Sequence, residues 1–250
     1  MELIHLPEVG STNNYLRQML EQQPELPEYT IVDAYAQTEG RGQRGNSWES
    51  NAGENISCSI LLRPNLPEEA FTFDLNIVVS LALHDALSRY LAPESIQIKW
   101  PNDIIVGHNK KIAGILIENE WLGSQLEYSI IGIGLNVRQT AFGEYHPVAT
   151  SLALEGAQLP LYYEEWHPTL IAQIASSLQA RQEQLGTQLH ELRQEYHSRL
   201  LGLGEERSYA LPNGTQFLGT IRCVHPNGLL EVDTPQGIHH YHFKEIRMLL

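Results

Sequence analysis

Gly40-Arg41-Gly42-Gln43-Arg44-Gly45-Asn46-Ser47-Trp48 packs three glycines, two arginines and a tryptophan into nine residues of an acidic chain. The spacing Gly40-x-Gly42-x-x-Gly45 imitates the dinucleotide-binding fingerprint, and the fold turns on whether the imitation holds. A true fingerprint follows a strand and opens a helix. The strand is there, in Ile31, Val32, Ala34, Tyr35 and Ala36. The helix is not: Asn46-Ser47-Trp48-Glu49-Ser50-Asn51-Ala52-Gly53 is polar, broken by glycine and without a 3.6-residue period. A kinase-type glycine loop fails as well, since neither His-Arg-Asp nor Asp-Phe-Gly follows. What remains is an irregular loop whose glycines allow close backbone approach and whose guanidinium forks suit carboxylate and phosphate oxygens. It is a loop for holding an anion.

Working outward, residues 2–6 read as a short strand ending at Pro7. Ser11-Thr12-Asn13-Asn14 then precede an apolar stripe of Tyr15, Leu16, Met19 and Leu20, the pattern of a capped helix start. Residues 31–37 form the strand that delivers the loop. From Asn55 to Arg63, Ile56, Cys58, Ile60 and Leu62 alternate, predicting a half-buried strand. Residues 68–91 read as a long helix. Residues 96–100 are a strand stopped by Pro101, and residues 104–106 and 111–118 form a hairpin about Gly107-His108-Asn109. Residues 127–137 form an inner strand whose glycines allow a ligand or another backbone to come close. A loop of about a dozen residues follows, to Thr150, and loops of that length are often functional. Residues 162–203 are helical, with Trp166, Leu170, Ile174 and Leu178 marking one helix and Leu189, Leu192, Tyr196 and Leu200 a second. Beyond them, Pro-Asn-Gly and Pro-Gln-Gly turns at roughly ten-residue spacing signal a small β-barrel or sandwich. A domain boundary is expected near residue 203, giving units 1–203 and 204–250.

The composition narrows the classes. At 250 residues, 42% hydrophobic and 18% charged, the chain suits one large and one small domain. No apolar run approaches the roughly 20 residues of a membrane helix, and the N-terminus lacks a signal-peptide pattern. Two distant cysteines, Cys58 and Cys223, suggest reduced thiols and a cytoplasmic protein. A net charge of −14 argues against nucleic acid as the main partner. Lysine is scarce, yet Lys99, Lys110 and Lys111 lie close together.

Asp103 follows a Trp-Pro-Asn bend, where its carboxylate can either cap the bend or bind a hard cation such as Mg²⁺. Lys111 opens a strand that continues into Ala113 and Gly114, small residues that leave room beside its ammonium. His239-His240-Tyr241-His242 lacks zinc-type spacing and a supporting cysteine pair, so it reads as a surface strand. No glycine-framed nucleophilic serine is present, which argues against covalent acyl transfer through serine. From the residues alone, the chain carries a cationic glycine loop, a lysine and a carboxylate converging on an anionic ligand.

Five motifs in order extend this reading: Ser11-Thr12-Asn13; Gly40 through Gly45 with Trp48; Lys99-Trp100-Pro101-Asn102-Asp103; Lys111-Ile112-Ala113-Gly114-Ile115-Leu116; and Gly132-Ile133-Gly134-Leu135-Asn136. In this order they resemble the biotin–protein ligases, from about residue 4 to the end. The resemblance implies an α+β fold: a catalytic domain like those of class II aminoacyl-tRNA synthetases, a mixed sheet with helices, followed by a small SH3-like β-barrel. It implies ATP and biotin as substrates, with Mg²⁺. Biotin becomes biotinyl-5′-AMP and passes to a lysine of a biotin carboxyl carrier domain. By the same likeness Ser11, Thr12, Asn13, Gln37, Gly40, Arg41, Gly42, Gln43, Lys111 and Gly114 would bind biotin. Arg41, Arg44, Trp48, Asn102, Lys111 and Asn136 would bind ATP, with Lys111, Arg41 and Arg44 as catalytic groups and Asp103 holding Mg²⁺. Many relatives carry arginine at Gln43 and a basic residue at Asn46, so looser retention of the adenylate is expected here. Some relatives add an N-terminal helix-turn-helix; it is not expected ahead of Ser11, nor is DNA binding. A lipoate–protein ligase and a non-catalytic biotin-binding module are the alternatives, and the sequence leaves a homodimer open.

Overall fold

A computed structural model describes residues 2–43 and 46–250. The chain opens with β1 (Glu2–Val9) and α1 (Thr12–Gln22), then β2 (Thr30–Gln37), β3 (Asn55–Leu62) and α2 (Thr72–Leu87). A run of strands follows: β4 (Ile96–Lys99), β5 (Asp103–Val106), β6 (Lys110–Leu122), β7 (Gln125–Asn136) and the short β8 (Val148–Ala149). The helices α3 (Tyr163–Leu185) and α4 (Leu189–Ser198) come next. The chain ends in β9 (Glu206–Ala210), β10 (Gln216–Val224), β11 (Leu230–Thr234), β12 (Gly237–Tyr241) and β13 (Arg247–Met248).

The first eight strands make one mixed sheet in the order β1-β2-β3-β7-β6-β5-β4, with β8 beside β6. Because successive side chains of a strand face opposite ways, each strand supplies two cores. Val32, Leu61 and Ile130 pack with Leu16 and Leu20 of α1. Ile31, Ile60 and Ile131 face the larger core, to which α2, α3 and α4 contribute Leu75, Leu81, Trp166, Leu170 and Tyr196. β3 is therefore buried along its whole length rather than half-buried. Its neighbours β2 and β7 cover both edges.

Two further boundaries differ from expectation. β1 continues through Pro7 to Val9, pairing in parallel with β2. An edge strand tolerates proline because the missing N–H faces away from its partner. The long helix starts at Thr72, not 68, because the Asp74 carboxylate accepts the Phe71 N–H at 2.8 Å and fixes the first turn there.

The last five strands form an antiparallel sheet, β12-β11-β10-β9-β13. Trp100 Nε1 donates to Gly228 O at 3.0 Å, and its ring packs edge-on against Phe243. That contact seats the small sheet against the mouth of the large one. Among the described residues, no helix is long and apolar enough to cross a membrane.

Candidate active site

Side-chain alternation builds the site floor. Ser57 pairs with Gly134, Gly134 with Gly114, Gly114 with Asp103, and Asp103 with Lys99. This is one row across β3, β7, β6, β5 and β4, and its side chains share a face. In the next row Ser59 lies opposite Gly132. At three points glycine makes room for other groups, and at two of them, Gly132 and Gly134, an added Cβ would force a neighbour to move. A Cβ on Gly132 would lie 2.5 Å from Asn13 Oδ1, and one on Gly134 would lie 2.3 Å from Cε2 of Trp48. One on Gly114 would meet both Trp48 and Lys111. The glycines are a platform for the tryptophan and the amide.

Above this floor, Ser11 caps α1, accepting the Asn14 N–H at 3.5 Å, and is buried. Its capping role and its place on the wall are both real. Gln37 Oε1 accepts from the Thr12 N–H at 3.0 Å and the Thr12 hydroxyl at 3.2 Å. Ser59 Oγ lies 2.8 Å from Thr12 Oγ1 and 2.5 Å from Asn13 Oδ1. The Asn13 amide donates to Glu118 at 2.7 Å. The result is a buried pocket end lined by hydroxyls and amides.

The cationic end is assembled by a bulge. The β5–β6 register shifts between Ile104 and Ile105. That re-aims Lys111, whose Nζ lies 2.6 Å from Asp103 Oδ1 and 5.4 Å from the centroid of the Trp48 ring. Lys99 Nζ lies 3.8 Å from the other oxygen of Asp103. Burial pulls the Lys99 ammonium below its ordinary range; Asp103 opposes the shift, and Lys111 and Arg247 add to it. Arg41 reaches Glu118 at 3.1 Å, and Arg17 shares the same carboxylate. These exposed pairs exchange readily for another anion, since such contacts contribute only about 0–1 kcal/mol.

The walls enclose a cavity of about 1060 Å³. Ser11, Thr12, Asn13, Gln37, Arg41, Gly42, Gln43, Trp48, Asn102, Asp103, Lys111, Gly114 and Asn136 all line it. Gly40 stands behind the wall, where its carbonyl accepts the Trp48 N–H at 2.9 Å and a Cβ would strike Trp48 O. Arg44 and Gly45 lie outside the described residues. Asn102 is turned toward its own strand pair, donating to Ile115 O at 2.6 Å. Among the described residues, four buried polar atoms on the wall have no protein partner: Trp48 Nε1, Ser57 Oγ, Asn136 Oδ1 and the Tyr209 hydroxyl. Across the cavity stand Phe142, Tyr145 and His146 of the loop after β7, and Tyr209, Leu211 and Arg247 of the small sheet.

The metal reading of Asp103 fits poorly. Both its oxygens face ammonium groups, whereas a magnesium ion held by protein needs free anionic oxygens. Among the described residues, Asp103 serves as the counter-ion of Lys111 and Lys99.

The family model of the biotin/lipoate A/B protein ligases matches residues 6–136, the stretch that carries the five strands of the site floor, β3 to β7. The chain belongs to that family. Among relatives of this ligase, the bifunctional ligase/repressor BirA of Bacillus spizizenii is 31% identical over 229 residues, 89% of this chain and 67% of that one. The biotin–[acetyl-CoA-carboxylase] ligase of Mycobacterium tuberculosis is 30% identical over 229 residues, 90% of this chain and 81% of the other. A solved biotin protein ligase from Aquifex aeolicus, in complex with biotin and ATP, superposes with a TM-score of 0.75 at 26% identity. That match covers 99% of this chain and 98% of the other.

Sequence reasoning overlooked two groups of this ligase site. Ser59 falls on the strand face opposite Ile56, Cys58 and Ile60, so the alternation that located β3 contained the signal. Glu118 lies four residues after Gly114, hence on the same face of β6.

Proposed function

We propose that this chain is an ATP-dependent ligase that forms biotinyl-5′-AMP and passes the biotinyl group to a lysine of a biotin carboxyl carrier domain. In the first step a biotin carboxylate oxygen bonds to the α-phosphorus of ATP, and the bond to pyrophosphate breaks. In the second the carrier amine attacks the acyl carbon, AMP leaves, and the amine's proton passes to solvent. The first step brings two anions together and the second develops negative charge on the acyl oxygen and the departing AMP, and Lys111 and Arg41 would shield both. Arg44 and Asn102 belong to the same proposed ATP site. Asn136 Oδ1, an unpaired acceptor on the wall, suits the amino group of adenine.

One observation carries the choice of biotin. At one end the cavity is lined by Thr12, Asn13 and the half-buried Gln37, tied into one hydrogen-bond network by Ser59 behind them. A ureido ring offers donors and an acceptor to such a network, whereas a dithiolane would leave polar groups unpaired at about 1–3 kcal/mol each. We further propose that residues 204–250 are the SH3-like module and residues 1–203 the catalytic unit, and that two copies pair through the central domain.

Incubation with ATP, Mg²⁺, a carrier domain and either biotin or lipoate, followed by mass spectrometry of the carrier, tests the reading. A gain of one biotinyl group, abolished in Lys111→Ala, is expected. A gain with lipoate alone would move the substrate, and no gain with either would leave a binding protein.

A further inference from the structure

The histidines near residue 240 gain partners that are remote in sequence. In the small sheet Cys223 pairs with Glu231, and Glu231 pairs with His240. The three side chains form one row across β10, β11 and β12, on the same face. A bulge puts Cys223 there. The β10–β11 register shifts between Ile221 and Cys223, so Ile221 is buried and lines the ligand cavity while Cys223 joins the outer row. His225, two residues beyond Cys223, folds back onto the row. Its Nε2 lies 2.9 Å from Glu231 Oε2 and 3.8 Å from Cys223 Sγ, and His240 Nε2 lies 3.1 Å from the same carboxylate oxygen. The two imidazole centroids are 4.9 Å apart.

We propose that Cys223, His225, Glu231 and His240 form a binding site for a divalent cation of the zinc class, separate from the ligand cavity. A tetrahedral ion with bonds of about 2.0–2.3 Å separates its ligand atoms by roughly 3.3–3.8 Å. The ligand atoms of Cys223, His225 and Glu231 all lie within 4.8 Å of one another. The separations of 2.9 and 3.8 Å at His225 and of 3.1 Å between His240 and Glu231 depart from the tetrahedral range by about half an ångström or less, and His240, held on Glu231, has to swing inward to complete the set. The donor set is one thiol, two imidazoles and one carboxylate, which suits zinc and its neighbours rather than magnesium or calcium.

A plain ion pair explains less. Two imidazoles on Glu231 account for three of the groups, and His225 is the main cause holding that carboxyl below its usual range. Cys223 remains unexplained. Its Sγ sits in the same row and 3.8 Å from His225 Nε2, where a thiol adds nothing to a pairing of imidazoles with a carboxylate. With a metal, the thiol proton is released to solvent, the thiolate binds, and both imidazoles bind neutral. Thiolate and carboxylate then balance the charge of the ion, which ties three strands together.

The test uses the full chain, stripped with a chelator and dialysed. Calorimetric titration with Zn²⁺ is expected to give a single tight ion per chain. Titration with Co²⁺ is expected to give the intense near-ultraviolet band of thiolate-to-cobalt charge transfer and the visible bands of a tetrahedral ion. Cys223→Ser should remove the ultraviolet band, and Cys223→Ser and His240→Ala should each weaken Zn²⁺ by tenfold or more. His5 and His167 also converge on a carboxylate, Asp33, so His5→Ala serves as the control and should leave the cobalt spectrum unchanged. Failure of the wild type to bind Zn²⁺ overturns the proposal. So does binding that survives both Cys223→Ser and His240→Ala, or a cobalt spectrum lost with His5→Ala.

Discussion

Replacing Gly134 by alanine puts a Cβ 2.3 Å from the Trp48 ring, so the indole must leave its platform and take its contact with Lys111 along. A displacement near 1 Å at a reacting centre can lower kcat/KM roughly 100-fold. That loss is expected in Gly134→Ala, with circular dichroism unchanged, and steady-state kinetics would measure it. Ser59→Ala is milder. It removes the hydroxyl that bridges Thr12 and Asn13, at about 1–2 kcal/mol, or roughly 5–30-fold in the Kd for biotin. The Kd for ATP should stay within twofold, and calorimetry with each ligand separates the two. At Gln43, where a neutral side chain lines the cavity, an arginine should slow departure of the adenylate. Equal dissociation rates for wild type and Gln43→Arg would count against the charge argument.

Among the elements, α2, α3 and α4 are locked by ions as well as by apolar packing. Arg181 of α3 bonds Asp85 of α2 at 2.6 Å and Glu195 of α4 at 2.6 Å, and Arg199 also reaches Glu195. Burial would raise the Asp85 carboxyl, but the His84 ring 3.8 Å away and the hydrogen bonds from Arg181 overcome it and hold the group down at about 2. Glu195 is lowered for similar reasons. A depressed carboxyl stabilises the fold fully above its unfolded value, near 4, and that contribution disappears as the pH falls toward the folded value. The chain should therefore lose stability between about pH 4 and pH 2. Arg181→Met should be less stable than wild type at pH 7, with the gap closing by pH 2 in urea titrations. An equal gap at both pH values would refute this account. The elements themselves were largely legible in the sequence, because periodicity is local. Boundaries slipped where one specific contact set them: parallel pairing with β2 carried β1 past Pro7, and the local hydrogen bond between Phe71 and Asp74 fixed the start of α2. Burial of β3 on both faces depends on α1 on one side and on α2, α3 and α4 on the other, packing that its own alternation does not reveal.

For the molecule as a whole, the small sheet completes the cavity wall and rests on Trp100. Gly228 has φ +87°, and a Cβ there would lie 2.9 Å from the Phe73 ring. Gly228→Ala therefore combines backbone strain with a clash in the seam, each costing roughly 1–3 kcal/mol. A drop of several degrees in Tm is expected by calorimetry, accompanied by a higher KM for ATP. The seam was beyond the reach of the sequence: turn signals revealed a separate β unit but not which surface it meets. The candidate site was more legible, since its motifs follow one another along the chain. What stayed hidden were the cross-strand rows, which place Ser59, Glu118 and Cys223 by register rather than by spacing. The glycine platform has an optical consequence. Of the four tryptophans, Trp100 and Trp166 are buried in the core and Trp121 is exposed. Trp48 and Trp100 both line the ligand cavity, but Trp100 is the more buried of the two, and it is the Trp48 indole that lies 5.4 Å from the Lys111 ammonium. Its emission should shift in colour and intensity when a ligand arrives, so the enzyme carries its own fluorophore, readable without a label once Trp121 is replaced by phenylalanine.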